Sequence, residues 1–591
     1  MEILIKSIII SLLSCLCFQP KASHAGSPAP SSPTINTPVI TAPDALSNES
    51  KKLPDLKLNQ FPQKPEFRLP PVEIAPEKDA LLSTTFSVFI KEIRITGNTV
   101  FSDQTLKKIT THYENRTVTN EQLQALRYQL TRYYIDQGYI NSGVILPDQQ
   151  VQDGIIQLQV IEGELSKMTL SGNHWLRSSY IEDRIAQSFG PPLNITNVQK
   201  HLLLLQQDPL IERINAELHP GLKPGESRMN IAVTEARPYE IGAVAANDRS
   251  PSIGGISGKI WFRHRNLTGF GDGLFFSYTG MEGLHDFNGS YSLPLTAYDT
   301  RLNLYYQNSD SDVVEKPIND ISIESRSETY GIALSHPFYR TPNQTFSATL
   351  AFEYRRSKTF LDNQPFSFSL GVPEEGNAKG VSKISVLRFT QEWLDRSQTQ
   401  VIAARSTLNW GINAFDATHN SNGDPDGQFF TWLGQFQWVM RLPILDSQIL
   451  FRADAQLAND SLLPLEKFSV GGRHSVRGYR ENQFVRDNGA TTSLEWRVPI
   501  IRIPIPGLSK TMTDGNVQLA TFVDFGWSKN SDLASPEPNT IGSWGLGLLW
   551  DPSPMLHSEL YWGLPFRSIK EGTEHDIQDF GIHFQVNARL L

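Results

Sequence analysis

From about Tyr239 to Leu591 the chain alternates apolar and polar residues in short segments without a helical period, and this tract constrains the fold more than any other feature. In "TFSATLAFEYRRS", Phe346, Ala348, Leu350, Phe352 and Tyr354 fall on one face, with Ser347, Thr349, Glu353 and Arg355 on the other. "FFTWLGQFQWVMRL" repeats the pattern with Phe430, Trp432, Phe436, Trp438 and Met440, and "SQILFRADAQLAN" with Ile449, Phe451, Ala453, Ala455 and Leu457. The last segment, "DFGIHFQVNARLL", sets Phe580, Ile582, Phe584, Val586, Ala588 and Leu590 against Gly581, His583, Gln585, Asn587 and Arg589. Soluble sandwiches also alternate. An aromatic-rich apolar face, charges on the opposite face and connections such as "HNSNGDPDGQ" favour a barrel whose outer face meets lipid. About sixteen segments of ~10 residues fit the tract with ordinary connections, which predicts an all-β, antiparallel, 16-stranded transmembrane barrel over 238–591.

The opening "MEILIKSIIISLLSCLCFQPKASHAGSP" has Lys6, an apolar run from Ile8 to Phe18 and a small-x-Ala site at Ser23-His24-Ala25. It reads as a secretory signal over 1–25, cleaved after Ala25. No later segment has the unbroken apolar length of a transmembrane helix. The two cysteines, Cys15 and Cys17, fall inside this signal, which excludes a disulfide scaffold from the mature chain. Residues 26–85 are rich in Pro and Ser and predict an extended linker, with "APDALSNESKK" and "APEKDALLSTT" as candidate short helices of a plug. The net charge of −9 argues against a nucleic-acid partner.

Between linker and barrel the sequence repeats itself. "IRITGNTVFSDQTL" is echoed by "MTLSGNHWLRSSYI", which aligns Gly97 with Gly172, and the copies close on "LQVIEGEL" and "IAVTEARP", which aligns Glu162 with Glu235. Each copy reads β-α-α-β-β, with first strands expected at Phe89 to Ile95 and Lys167 to Leu170. In "TNEQLQALRYQLTRYYIDQGY", Leu123, Leu126, Leu130, Tyr133 and Tyr134 share a helical face, with Thr119 as the expected cap and Gly138 as the stop. "TNVQKHLLLLQQDP" takes that place in the second copy. The predicted units are 86–164 and 165–237, an α+β pair ahead of the barrel.

One loop late in the barrel stands apart. "GGRHSVRGYRENQF", 471–484, sets three arginines and a tyrosine between two alternating segments. Taken alone it reads as an exposed basic loop. "VRGY" in that place, the two repeats, "RNLTGFGDGL", "YSLPL", "SHPFYR", "TFVDFGW" and a closing strand at the chain end together resemble the two-partner secretion translocators. These are the TpsB proteins of the hemolysin secretion/activation family (ShlB, FhaC, HecB), in the BamA-type outer-membrane superfamily. The resemblance runs from about Phe86 to Leu591. It implies that the repeats are periplasmic POTRA domains, which hold extended polypeptides. It also implies that the sixth extracellular loop folds into the lumen, where its arginine meets an aspartate of an aromatic-x-Asp-x-Gly strand. Carried over, the loop residues are Val476, Arg477, Gly478 and Tyr479, and the strand residues are Phe522, Asp524 and Gly526.

The residue chemistry agrees with that assignment. With Val517, Leu519, Thr521, Val523 and Phe525 toward lipid, alternation turns Phe522, Asp524 and Gly526 inward. The planar arginine fork holds a carboxylate bidentately, and Gly478 permits a tight reversal beside it. Arg473, Arg480 and Glu481 receive no separate role.

No nucleophile elbow, phosphate-cradling glycine loop or metal-ligand spacing is found, and the 13 histidines are scattered, so no catalytic residue, metal or cofactor is expected. The resemblance implies an outer-membrane translocator with periplasmic repeats. It would secrete an unfolded partner of the TpsA type, a hemolysin- or adhesin-like exoprotein, without hydrolysing nucleotide, and would function as a monomer in outer-membrane lipid. The alternatives are a BamA-like barrel-assembly factor, whose members usually carry more repeats, and a passive porin, which leaves the repeats unexplained.

Overall fold

The computed structural model describes residues 87–421, 423–569 and 575–590. The expected signal (1–25) and linker with its plug helices (26–85) lie outside the described residues.

The repeated Gly-Asn and Glu positions have a common physical cause. Gly97 and Gly172 both have positive φ, and a Cβ on either would come within 2.4 and 2.2 Å of the Val160 and Val233 carbonyl oxygens. Only glycine lets the first strand turn so close to the last. The chain then passes over a carboxylate: Glu162 accepts the N–H groups of Thr99 (2.7 Å) and Val100 (3.2 Å), and Glu235 those of His174, Trp175 and Leu176 (3.0, 2.6 and 2.8 Å). Asn98 and Asn173 close the same turn by donating to the Phe101 and Leu176 carbonyls.

The second copy is β-α-α-β-β: strand Glu164–Ser171, helices Ser178–Ala186 and Ile195–Gln206, and strands Ile211–Pro220 and Glu226–Glu235, with the last strand central in the sheet. The first copy adds to that order. Its predicted opening strand is broken at Lys91, whose N–H turns to the Gly154 carbonyl, giving Ser87–Ile90 and Glu92–Thr96. The former pairs with an unpredicted strand, Arg116–Thr119, because Ile90 and Val118 can then both be buried. Thr119 caps helix Asn120–Asp136 as expected, but through a reciprocal box with Gln122. Leu123, Leu126, Leu130 and Tyr134 fill the core beneath.

The barrel is closed, antiparallel and 16-stranded, from Tyr239–Ala246 to Ile582–Arg589, which pair with each other. Its outer face carries aromatic and aliphatic residues such as Phe276, Tyr330, Leu350, Trp410 and Trp544. Closure satisfies every strand edge, the condition for a sheet in hydrocarbon. Two of the residues assigned to the outer face from sequence do not lie on it. Val517 is covered, beside the register shift between Pro499 and Ile501, and Phe580 belongs to a one-turn helix, Ile577–Phe580, that ends at Gly581 before the last strand begins.

The second repeat is bonded to three connections between barrel strands. At 265–272, Arg177 donates its main-chain N–H to Gly269 O (2.9 Å) and its Nε–H to Thr268 O (3.2 Å), Asn266 donates to Trp175 O (2.8 Å), and a Cβ on Gly271 would strike the Tyr180 ring. At 341–343, Gln207 donates to Pro342 O (2.8 Å). In the turn 295–300, Asp299 takes Arg184 (2.6 Å) from the repeat and Arg340 from the barrel. Burial raises the Asp299 carboxyl, but Arg184 and Arg340 outweigh it and hold it below the usual aspartate range. A carboxyl lowered in the docked state contributes stability that is complete above its ordinary pKa and is lost as pH falls through the lowered one. Asp299→Ala should therefore weaken docking by about 1 to 2 kcal/mol at neutral pH. Limited proteolysis should find the second repeat cut faster, and the wild type should approach the variant only on acidification. Equal cleavage at neutral pH would remove Asp299 from the joint.

Candidate functional site: a loop fastened across the lumen

Barrel strands 11 (Gln448–Ala458) and 12 (Asn488–Arg502) are joined by the long connection 459–487. Within it Phe468–Val470 and Phe484–Arg486 pair as an inner hairpin, so 471–483 forms its tip. Glycine makes this tip possible. Gly478 has φ +92, and its Cα packs so closely on Gly563 that a Cβ on either residue would meet the other's backbone within 2.9 Å. The Gly478 N–H donates to His583 Nε2 at 3.2 Å.

This reversal delivers Arg477 to the inner wall, where it is 5 % exposed. Nε–H and one Nη–H grip the two oxygens of Asp524 at 2.8 and 2.9 Å, and the Arg477 main-chain N–H adds a third bond at 3.0 Å. Asp524 is 0 % exposed and lies on strand 13 (Asn516–Lys529), facing inward. The remaining guanidinium donors reach Glu495 and, at 2.9 Å, Ser493 Oγ on strand 12. The Phe522 ring lies 3.6 Å from the guanidinium carbon, so the cation is sandwiched by charge and a π-face. Val476 is fully buried and packs where Gly526 lacks a side chain, since a Cβ there would come within 2.8 Å of Val476 Cγ2. The Tyr479 hydroxyl sits 2.9 Å from Arg567 O and 3.1 Å from Gly542 O. All seven residues named from sequence thus meet in one place.

Other members escaped sequence reasoning. Glu495 and Ser493 share a face in "TTSLEWR", and Tyr561, whose hydroxyl donates to Glu495 Oε1 at 3.0 Å, shares one with Glu559 in "SELYWG"; alternation alone pointed them inward. Arg473, Arg480 and Glu481, given no role above, are all engaged. Arg473 pairs with Glu559, Arg480 with Asp579 (2.7 Å) and Glu315 (2.8 Å), and the Glu481 carboxylate accepts the Arg473 N–H at 2.6 Å. The tip is thereby tied to strands 12 and 13, to the last two strands, Leu556–Pro565 and Ile582–Arg589, and to two further loops. Among the described residues no group of His, Cys, Asp and Glu could hold a metal ion. These contacts are suited to holding a loop inside a pore.

A closed 16-stranded barrel with two amino-terminal POTRA-type repeats and one loop folded into the lumen defines a class of outer-membrane barrel protein. Residues 225–549 match the family described as haemolysin secretion/activation protein ShlB/FhaC/HecB, and residues 88–163 match the POTRA domain, ShlB-type. The chain belongs to the ShlB/FhaC/HecB haemolysin secretion/activation family. It is 23 % identical to the outer membrane transporter CdiB of Escherichia coli O6:K15:H31 (strain 536 / UPEC) over 91 % of this chain and 86 % of that protein. It is 21 % identical to the heme/hemopexin transporter protein HuxB of Haemophilus influenzae (strain 86-028NP), over 74 % of this chain and 75 % of the other. The solved structure of CdiB from Escherichia coli superposes with a TM-score of 0.65 at 20 % identity, over 88 % of this chain and 94 % of that one. The protein is an outer-membrane transporter of the TpsB type with its POTRA repeats in the periplasm.

Proposed function

We propose that this chain captures an unfolded, exported partner of the TpsA type at its POTRA repeats and passes it through the barrel to the cell surface. Sheet edges at Glu92–Thr96 and Glu164–Ser171 offer main-chain bonds to an extended segment of many sequences. The bonding of the second repeat to three barrel connections carries this reading, because it links a peptide-binding module to the barrel mouth. Val476, Arg477, Gly478 and Tyr479 on the loop and Phe522, Asp524 and Gly526 on the wall act as the lock that seats the loop between passages; the loop leaves the lumen for export and must reseat before the next passage. Folding of the partner outside makes passage one-way without nucleotide hydrolysis, since it buries apolar surface beyond the membrane. One copy in outer-membrane lipid suffices.

Depleting the protein should remove one large secreted protein from the medium while the set of other outer-membrane barrels stays constant. Loss of many barrels would show an assembly factor instead, and loss of small-solute uptake alone a porin.

A further inference from the structure

The loop is held at its root as well as at its tip, and with the charges reversed. The one-turn helix Pro464–Glu466 places the Glu466 carboxylate, 1 % exposed, against the wall of strands 7 (Gln344–Leu361) and 8 (Val381–Arg396). Oε1 accepts Arg355 Nη1 at 2.7 Å and Arg388 Nη2 at 2.8 Å, and Oε2 accepts a second Arg388 donor at 3.2 Å. Arg355 also donates to Leu465 O at 2.9 Å. The wall arginines are themselves held, Arg388 by Glu353 (2.9 Å) and Asn409 (2.8 Å). Leu462, Leu463 and Leu465 bury their side chains against Ile384, Val386 and Phe429 around this ionic centre. Gln456 on strand 11 donates to the carbonyls of both Glu466 and Asp487, tying the two ends of the loop together.

At the tip the loop supplies the cation and the wall the carboxylates; at the root the loop supplies the carboxylate and the wall the cations. The two fastenings share no side chain and lie on different strands, 7 and 8 against 12 and 13. Interactions without a common partner are broken independently. We infer that Glu466 is a positioning residue of the translocator, pinning the loop root to strands 7 and 8 so that undoing the Arg477 pair moves the tip while the root stays as a pivot. A hinge of this kind needs one end that holds while the other opens. Without Glu466, two buried wall arginines would lose their shared acceptor and the root would detach. This rests on the proposal that the loop leaves the lumen for export.

The chain has cysteines only at 15 and 17, so a single new cysteine reports on its own site once the expected signal is removed. Ser469→Cys marks the root and Ser475→Cys the tip. Whole cells bearing the full chain are treated with a membrane-impermeant maleimide, and barrel assembly is checked by heat-modifiability. Arg477→Ala should raise labelling at 475 by about tenfold and leave 469 unchanged; Glu466→Gln should raise labelling at 469 by about tenfold, as expected when a charge-assisted bond is lost from a locally opening segment. Glu466→Asp, which keeps the carboxylate, should return 469 toward the wild-type rate, a rescue that loss of packing alone would not give. Should Glu466→Gln fail to assemble, Arg388→Gln probes the same centre from the wall, with the same expected rise at 469. Wild-type labelling at 469 in an assembled variant, or an equal rise at both sites from Arg477→Ala, would overturn the inference. Labelling requires no cargo, so this result is independent of whether the depletion experiment finds a secreted partner.

Discussion

Arg477→Ala should impair secretion more than Asp524→Ala, and the double variant should secrete clearly better than the sum of the two losses predicts. Breaking a buried pair leaves the surviving charge without compensation, at ~3 to 5 kcal/mol in a dry interior and less in a partly wet pore. The structure makes the two single losses unequal. Without Arg477, Asp524 loses all three of its bonds from that residue, whereas Glu495 retains Arg497 and the Tyr561 hydroxyl. Without Asp524, Arg477 still holds Glu495 and Ser493. Asp524→Ala should therefore cost about half as much loop seating, near the lower figures for a hydrogen bond to a charged group. Arg477→Lys should rescue poorly, because one ammonium cannot reproduce the bidentate grip on Asp524 while reaching Glu495. A double-mutant cycle on secretion and heat-modifiability decides the matter. Additive losses would mean that the two residues do not act together and that the lock assignment fails.

Deleting the first repeat should abolish secretion and leave the barrel assembled. Strand Glu164–Ser171 belongs to the second repeat, so the deletion runs from 90 to 163 and spares it. The joint between repeats has no spacer: Ile195 donates to Gly138 O (2.9 Å), Leu193 to Gly163 O (2.7 Å), and Asn141 to Gly225 O (3.0 Å). Cutting there exposes the Leu193 and Ile195 N–H groups and the Gly225 carbonyl to water, which can satisfy them, while the second core of Ile181, Ile185, Leu202 and Ile231 loses only the half-buried Ile140 that packs against it. The barrel closes through its own strand pairs and keeps its docked second repeat. Secretion at the wild-type level from this variant would remove the first repeat from cargo recognition, and loss of the heat-modifiable form would instead reveal a role in assembly.

Local order is legible in the chain because its causes are local. Period-2 alternation, the Gly-Asn turns and the Thr119 cap each depend on neighbouring residues, and the recurrence of Gly97 and Glu162 as Gly172 and Glu235 marks the repeat. The barrel, the two repeats and the inward face of Asp524 are therefore readable from the amino acids alone, and the resemblance carried by "VRGY" and "TFVDFGW" supplies the partner for Arg477. The split first strand and the extra strand Arg116–Thr119 escape such reading because their pairing is decided by burying Ile90 against Val118, not by propensity.

What tertiary structure alone decided is which wall each inward charge meets. Glu466 with Arg355 and Arg388, Arg473 with Glu559, and Arg480 with Asp579 and Glu315 are remote in sequence, and every one of these residues would read singly as an ordinary polar position. Alternation sends a side chain into the lumen but does not say what stands opposite. That depends on the closure of sixteen strands and on the path of one loop across the space they enclose. The sequence by itself determined a barrel with two repeats and an inward aspartate; the closed sheet turned a basic loop into a strut fastened at both ends.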